Sequence, residues 1–510
     1  MNRRTFLKLC MAASLGFFGC LEKQQAGFLR VYGKEVITAS GKPVRLAGFN
    51  VGYENFREGS LTEEDIKRIA EWGANSLRLW MDYKPFEYKE DGFELLDKIL
   101  SWCEKHKLYV ILDMHFAPGG QNPYDFVIQR EGTYEFWDNK EYQQRFIALW
   151  AKIAKRCAGR EIIAGYDLLN EGAPPDVDTY ARVMGATAEA IRSNDSKHII
   201  ILEDARLLKG STTEFALVRI EDKNTMYSIH VYYPHQLTHY LKGGGRAVVT
   251  YPGEIATAGE FISQVKSQSA NSTASWQKLS LGAAAPANAE IVLAQCVSAN
   301  NSGAAWFDDL ELKEGSAALE LPAPLVSNPS FEAASQSMQW RNRSIDGSIK
   351  LDALAHAGRR SVKFEKTSKA FVESAPIKVS PQKQYSFSAW VKTENATGDN
   401  YIALSWHKKK ILERIDKAAL EAKMQYAVDF MNRCNVPIYV GEFGSQQNPA
   451  EANVANWISD VLELFKKYNF SWSYWQYFSP YPTGFGITSL AKGKIELSRP
   501  EILELLRKHF

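Results

Sequence analysis

The chain of 510 residues has almost no net charge: 61 Lys and Arg stand against 59 Asp and Glu, a formal +2 at pH 7. No long run of one charge sign occurs, which argues against nucleic acid or an anionic membrane surface as the partner and for a neutral one. Cysteine is scarce too, six in all. The four beyond the first twenty residues, Cys103, Cys157, Cys296 and Cys434, show no Cys-x-x-Cys or His-x-x-x-His spacing. They read as buried free thiols and give no metal centre of those kinds. Also missing is an apolar run of the roughly 20 residues needed to span a bilayer. What is left is a globular composition, 45% hydrophobic and 24% charged, enough for a large core and more than one domain.

The first residues read as an export segment, 1–24, and not as part of the fold. Arg3 and Arg4 precede Thr5-Phe-Leu-Lys8, and a short apolar stretch then runs to Phe17-Phe-Gly-Cys20. The first pattern resembles a twin-arginine signal, the second a lipoprotein cleavage box. The expectation is a bacterial protein that is periplasmic, secreted or held at the outer surface by a lipid on Cys20. A twin-arginine route carries folded protein, which suits a chain that does not depend on disulfides.

Aromatic residues are plentiful, 12% of the chain with 13 Trp. Most fill a core, but flat apolar rings also suit the faces of sugars. From residue 45 to 255, continuous apolar strands alternate with amphipathic helices. The strands are Val44 to Asn50, Ser76 to Met81, Tyr109 to His115, Ile162 to Asn170, His198 to Glu203 and Met226 to Tyr232. The pattern stops near Ile255 and restarts near Lys408 with a charged helix through about Arg433. The strand Pro437 to Phe443, a helix Glu451 to Tyr468, the strand Phe470 to Trp475 and a helix Pro500 to His509 follow. Continuous apolar strands are covered on both faces, and repeated βα units imply a parallel sheet. Six strands and two make eight, so the fold class is α/β, a (β/α)8 barrel over 27–255 and 406–510.

The stretch 256–405 differs in kind. It is rich in Ser, Ala, Asn and Thr and carries short β-type runs, among them Trp306 to Leu312 and Tyr385 to Val391. It reads as an all-β sandwich inserted after the sixth barrel strand, because a structureless loop of that length does not fit inside a compact domain. Trp276, Trp306 and Trp390 read first as its core.

Two glutamates carry the chemistry. Glu171 ends Gly165-Tyr-Asp-Leu-Leu-Asn-Glu171, and Glu442 lies in Pro437-Ile-Tyr-Val-Gly-Glu442-Phe, each at the carboxyl end of an apolar run. Retaining hydrolysis of a glycoside needs such a pair, one carboxylate to attack and one carboxyl to protonate, about 5–5.5 Å apart. Two carboxylates so close do not both ionise easily, so one becomes the acid. No metal is needed for this chemistry.

Six motifs in order now carry a resemblance: Gly73-Ala-Asn-Ser-Leu-Arg78, Ile111-Leu-Asp-Met-His115, Leu169-Asn170-Glu171, His230-Val-Tyr232, Val440-Gly-Glu442-Phe and Tyr474-Trp475. Each falls at the end of a different predicted strand, and together they resemble glycoside hydrolase family 5, the cellulase-type enzymes of clan A. The resemblance implies Glu442 as nucleophile and Glu171 as acid/base. It implies that Arg78 holds Glu442, that Asn170 meets the sugar 2-hydroxyl or the nucleophile, and that Tyr232 bonds Glu442. His115 and His230 would line the subsite and Trp475 would lie under the sugar ring. Trp80, Tyr83, Trp137, Tyr233 and Tyr477 are further aromatic candidates. The substrate implied is a β-glucan, foremost β-1,4-linked. A β-mannan and exo-action on short or β-1,3-linked glucosides are the alternatives, and a carbohydrate-binding surface lipoprotein is the non-enzymatic one.

The insertion resembles carbohydrate-binding jelly rolls, with the usual closing motif, Trp306 to Leu312, ahead of the usual opening motif, Asn328-Pro-Ser-Phe-Glu332. A circular permutation accounts for that order. Similar jelly rolls hold a structural calcium ion, for which Glu332 with Asp308 or Asp309 are the candidate ligands.

Overall fold

The computed structural model describes residues 27–510 except 53–60, 90, 124–133, 210–211, 240–248, 272, 274, 316–329, 332–340, 448–450, 481–483 and 492–493. Its centre is a closed barrel of eight strands: Ala47–Val51, Ser76–Asp82, Tyr109–Phe116, Ile163–Asp167, Ile199–Glu203, Thr225–Val231, Ile438–Phe443 and Ser471–Tyr474. These are strands one to eight below. The registers given for neighbouring strands are parallel, as in Asp113 beside Asp167 and Tyr439 beside Ser471. Strands two to five, the first arc below, belong to one compact unit; strands one and eight and most of strand seven, the second arc, belong to another, and strand six is divided after Ser228.

Local chemistry sets the helices between the strands. Thr62 and Asp65 exchange side-chain and backbone bonds in a capping box before the helix Glu63–Glu71. Asn139 caps Lys140–Cys157, and Asp176 caps Val177–Arg192 through the Thr179 N–H at 2.7 Å. Each cap satisfies an otherwise orphaned N–H and contributes about 1 kcal/mol. Cys103, Cys157 and Cys296 are buried free thiols, and burial pushes Cys157 up to about 12. Cys434 is only partly buried. No helix among the described residues is long and apolar enough to cross a membrane.

The helix expected from about Lys408 begins instead at Lys417, because the preceding strand, Asp399–Ile415, continues through Lys408 to Glu413. Its partner, Gly253–Lys266, runs antiparallel beside it from Gly253 opposite Ile415 to Lys266 opposite Ala403. A long two-stranded ribbon therefore leads out of the barrel and back. It ends in a six-stranded sheet that shares one core with a five-stranded sheet. Phe307, Phe364 and Phe387 come from the second sheet, Val292, Leu404 and Trp406 from the first. Of the three tryptophans expected in the core, Trp306 is buried, 4% exposed, though outside the core the two sheets share, and Trp276 and Trp390 are not buried. Alternation turns Phe307 and Ala389 inward, which puts Trp306 and Trp390 on the opposite face of their sheet. Trp276 and Trp390 are partly exposed, and the His356 ring stacks on Trp390 at 3.9 Å.

Inside the first arc lies a cluster of charges. Arg78, wholly buried, meets Asp167 at 2.8 Å, Glu203 at 2.6 Å and Asp113 at 3.1 Å, all of them at most 1% exposed. One guanidinium cannot neutralise three carboxylates, and a buried uncompensated charge is costly. Burial, with the added repulsion of Glu203 and Asp113, pushes the Asp167 carboxyl well above the usual carboxylate range against the pull of Arg78. A proton is therefore held on Asp167 to higher pH than on a free carboxylate. A carboxyl raised in this way contributes its full stability below the unfolded value near 4, and that stability is lost as pH rises toward the folded value. Asp167→Asn fixes the neutral form. Its Tm should therefore gain on the parent by about 2–4 °C between about pH 4 and pH 8 in thermal scans. A Tm difference independent of pH would show Asp167 ionised in the fold.

Candidate active site

The charged cluster supports the residues above it. Strand three continues from Asp113 to His115, whose Nδ1 lies 2.8 Å from Asp113 Oδ2. Past the end of strand four the chain turns, and Asn170 receives Arg78 Nη2 on its side-chain oxygen at 3.0 Å. Its amide nitrogen stands 3.4 Å from His115 Nε2. Gln121 joins the two strand ends, donating to the carbonyls of His115 at 2.7 Å and Asn170 at 3.1 Å.

Glu171 follows with a φ of +49°, the left-handed region that a residue with a Cβ rarely adopts. Such a conformation persists only where surrounding bonds over-determine it. Here its N–H donates to Glu203 Oε2 at 2.7 Å, and its carbonyl accepts from Asn122 at 3.0 Å. Its carboxylate, 18% exposed, forms an ion pair with Arg206. Glu203 thus binds Arg78 through one oxygen and the Glu171 backbone through the other.

In the second arc Glu442 sits at the carboxyl end of strand seven, its side chain 6% exposed. Tyr232, just beyond strand six, donates its hydroxyl to Glu442 Oε2 at 2.8 Å. His230 Nδ1 lies 3.6 Å from the same oxygen. Asn50 ties strand one to seven and eight through the carbonyls of Gly441 at 2.9 Å and Ser473 at 3.3 Å. Trp475, partly exposed, follows strand eight and donates its N–H to the Phe443 carbonyl at 2.8 Å. Gly444 makes this approach possible, since a Cβ there would stand 2.2 Å from the Trp475 carbonyl oxygen.

Of the eight residues expected at the barrel site, seven stand at or just past strand ends, and Arg78 lies inside strand two, buried below them. Arg78, which the sequence reading set against Glu442, also meets three carboxylates of its own arc, a load the sequence did not reveal. The extra aromatic candidates are mostly packing. Trp137 is buried with its Nε1 on the Gln121 carbonyl at 2.9 Å, and Trp80, Tyr83 and Tyr477 are also buried.

The calcium expectation does not fit the donors present. Asp308 accepts backbone N–H groups from Asp309 on one oxygen and from His356 and Ala357 on the other. Asp309 accepts Ser330 on one oxygen and has His356 Nδ1 within 2.6 Å of the other. All four oxygens already have protein partners, which accounts for both carboxylates without a cation. Glu332 lies outside the described residues.

Sequence reasoning missed Arg206, Glu203 as a support, and the pair Gln121 and Asn122. Glu203 and Arg206 had a usable signal, since Glu203-Asp-Ala-Arg206 places charge directly after an apolar strand. The Gln and Asn carried none.

Comparison with known proteins gives the family to which this fold belongs. The chain is 33% identical to Endoglucanase C of Acetivibrio thermocellus over 239 residues, 42% of this chain and 67% of that one. It is 31% identical to Cellodextrinase A of Ruminococcus flavefaciens over 207 residues, 39% of this chain and 60% of the relative. The crystal structure of an endogalactoceramidase shares the fold with a TM-score of 0.50 at 13% identity, covering 94% of this chain and 85% of the other. The model of the cellulase family, glycosyl hydrolase family 5, matches residues 37–293. A match over half of the chain, joined to a closed eight-stranded barrel, makes this protein a member of glycoside hydrolase family 5.

Proposed function

We propose that the protein is a retaining β-glycosidase that hydrolyses β-glucan, foremost β-1,4-linked, with Glu442 as nucleophile and Glu171 as acid/base. The observation that carries the assignment is the different support of the two groups. Glu442 is nearly buried and receives the Tyr232 hydroxyl on one oxygen, which orients the carboxylate for attack. Glu171 is more open and is positioned through its backbone, which leaves its carboxyl able to exchange protons with substrate and water. In the first step Glu442 attacks the anomeric carbon while Glu171 protonates the departing oxygen. In the second, Glu171 takes a proton from water, which displaces the sugar from the Glu442 ester. His115, Asn170 and His230 line the sugar, and Trp475 offers its indole to the ring face. Relatives named endoglucanase and cellodextrinase support a β-1,4-glucan.

The same reading divides the chain into an export segment, a barrel in two parts and a permuted β module, and places the enzyme outside the cytoplasm with Cys20 as a lipid anchor. Trp276 and Trp390, partly exposed on the outer face of the module, support polysaccharide binding there.

Five measurements test the reading. A product profile on cellulose, mixed-linkage glucan, laminarin and mannan should favour the first two, and faster turnover of mannan would overturn the substrate. Glu442→Ala should lower kcat by about 10⁴-fold or more. Glu171→Ala should lose as much on oligosaccharides and far less on 2,4-dinitrophenyl β-cellobioside, whose leaving group needs no proton. Equal losses on both substrates would refute the acid role. EGTA should leave Tm unchanged within about 1 °C, since a bound structural ion would add stability by mass action. Trp390→Ala should reduce retention on insoluble cellulose several-fold with kcat on soluble oligosaccharide kept, and unchanged retention would leave the module a spacer.

A further inference from the structure

Beyond strand five the chain forms a β-hairpin, Ala205–Lys209 with Thr212–Ala216, one residue after Glu203. Its first strand is fixed to the loop that carries Glu171, because Arg206 N–H donates to the Gly172 carbonyl at 2.9 Å. In the hairpin register Arg206 stands directly opposite Phe215, so both side chains leave the same face. The guanidinium carbon lies 5.8 Å from the centre of the Phe215 ring, within cation–π range. The same guanidinium is paired with the Glu171 carboxylate. Phe215 is 45% exposed, Arg206 20%.

A single exposed phenylalanine is ordinary on a protein surface. This one differs by its place: it is fixed by register opposite the residue that holds the acid/base. From this geometry we propose that Arg206 and Phe215 form the subsite for the leaving-group sugar, the first residue on the far side of the bond being cleaved. The inference rests on the glycosidase reading above. Glu171 must give its proton to the glycosidic oxygen, and that oxygen departs with the leaving sugar. The groups beside Glu171 on its open side therefore meet that sugar. Phe215 supplies a flat apolar surface for the C–H face of an equatorially substituted pyranose. Arg206 holds the Glu171 carboxylate at the edge of that surface with a planar, permanently charged guanidinium. The ligand class is a neutral β-linked glucosyl or cello-oligosaccharyl unit, as leaving group in hydrolysis or as acceptor in transglycosylation.

The test uses the full chain and two substrates with the same sugar to be transferred. Cellotetraose places sugar in the proposed subsite, while 2,4-dinitrophenyl β-cellobioside does not. For Phe215→Ala, the ratio of kcat/KM on cellotetraose to kcat/KM on the aryl cellobioside should fall about tenfold. Phe215→Leu should fall similarly, and Phe215→Trp should restore the ratio. The burst of dinitrophenolate counts correctly folded sites in each variant. Added cellobiose should also give several-fold less transglycosylation product with Phe215→Ala and with Arg206→Lys than with the parent. A ratio and a transfer yield unchanged in these variants, while the parent turns over both substrates, would overturn the subsite and leave the glycosidase reading standing. A parent enzyme inert on both substrates would overturn both.

Discussion

The barrel interior turns on one guanidinium. Arg78 is buried among Asp113, Asp167 and Glu203, and removing the one guanidinium, which leaves buried carboxylates uncompensated, costs about 3–5 kcal/mol. Apolar side chains of equal volume would fill the space at lower electrostatic cost. What they would not do is aim anything. Through this cluster Asp113 holds His115, Arg78 holds Asn170 and Glu203 holds the backbone of Glu171. The stability given up in burying charge is returned as orientation of the groups above it.

The two glutamates show how one chemical group is given two characters by its surroundings. Glu442 lies at a strand end, with a phenol hydroxyl on one oxygen. Glu171 sits in a left-handed turn four residues past its strand, where the backbone itself is clamped. A carboxylate that must attack one carbon gains from a fixed oxygen. A carboxyl that must serve two steps, first as acid and then as base, gains from a fixed backbone and a freer head.

Much of this was legible in the sequence because parallel strands covered on both faces are written as uninterrupted apolar runs. All eight barrel strands were visible for that reason, and so were the polar residues that end them. Legibility failed where alternation or context decides. The tryptophans at 306 and 390 looked like core because they are large, but the period of two assigns the inner face to their neighbours Phe307 and Ala389. The hairpin of Arg206 and Phe215 was invisible because its strands are short and polar, held by register with each other and not by an apolar pattern. The load on Arg78 could not be read either, since Asp113, Asp167 and Glu203 come together only when strands three, four and five are laid side by side.

The ribbon that joins barrel and insertion has a consequence for how the chain folds. Strands seven and eight must find strands six and one across everything between Gly253 and Ile415, a long closure by contour length. Because Gly253 and Ile415 are paired partners, the two strands that leave and re-enter the barrel zip from the module side inward, and each rung shortens the loop still open. Once zipped, the insertion adds little more than the width of a hairpin to the search, whatever its length. The order of synthesis then favours a sequence of events. The module emerges and pairs its own strands before the last two barrel strands exist, and the barrel closes last, around a junction already made.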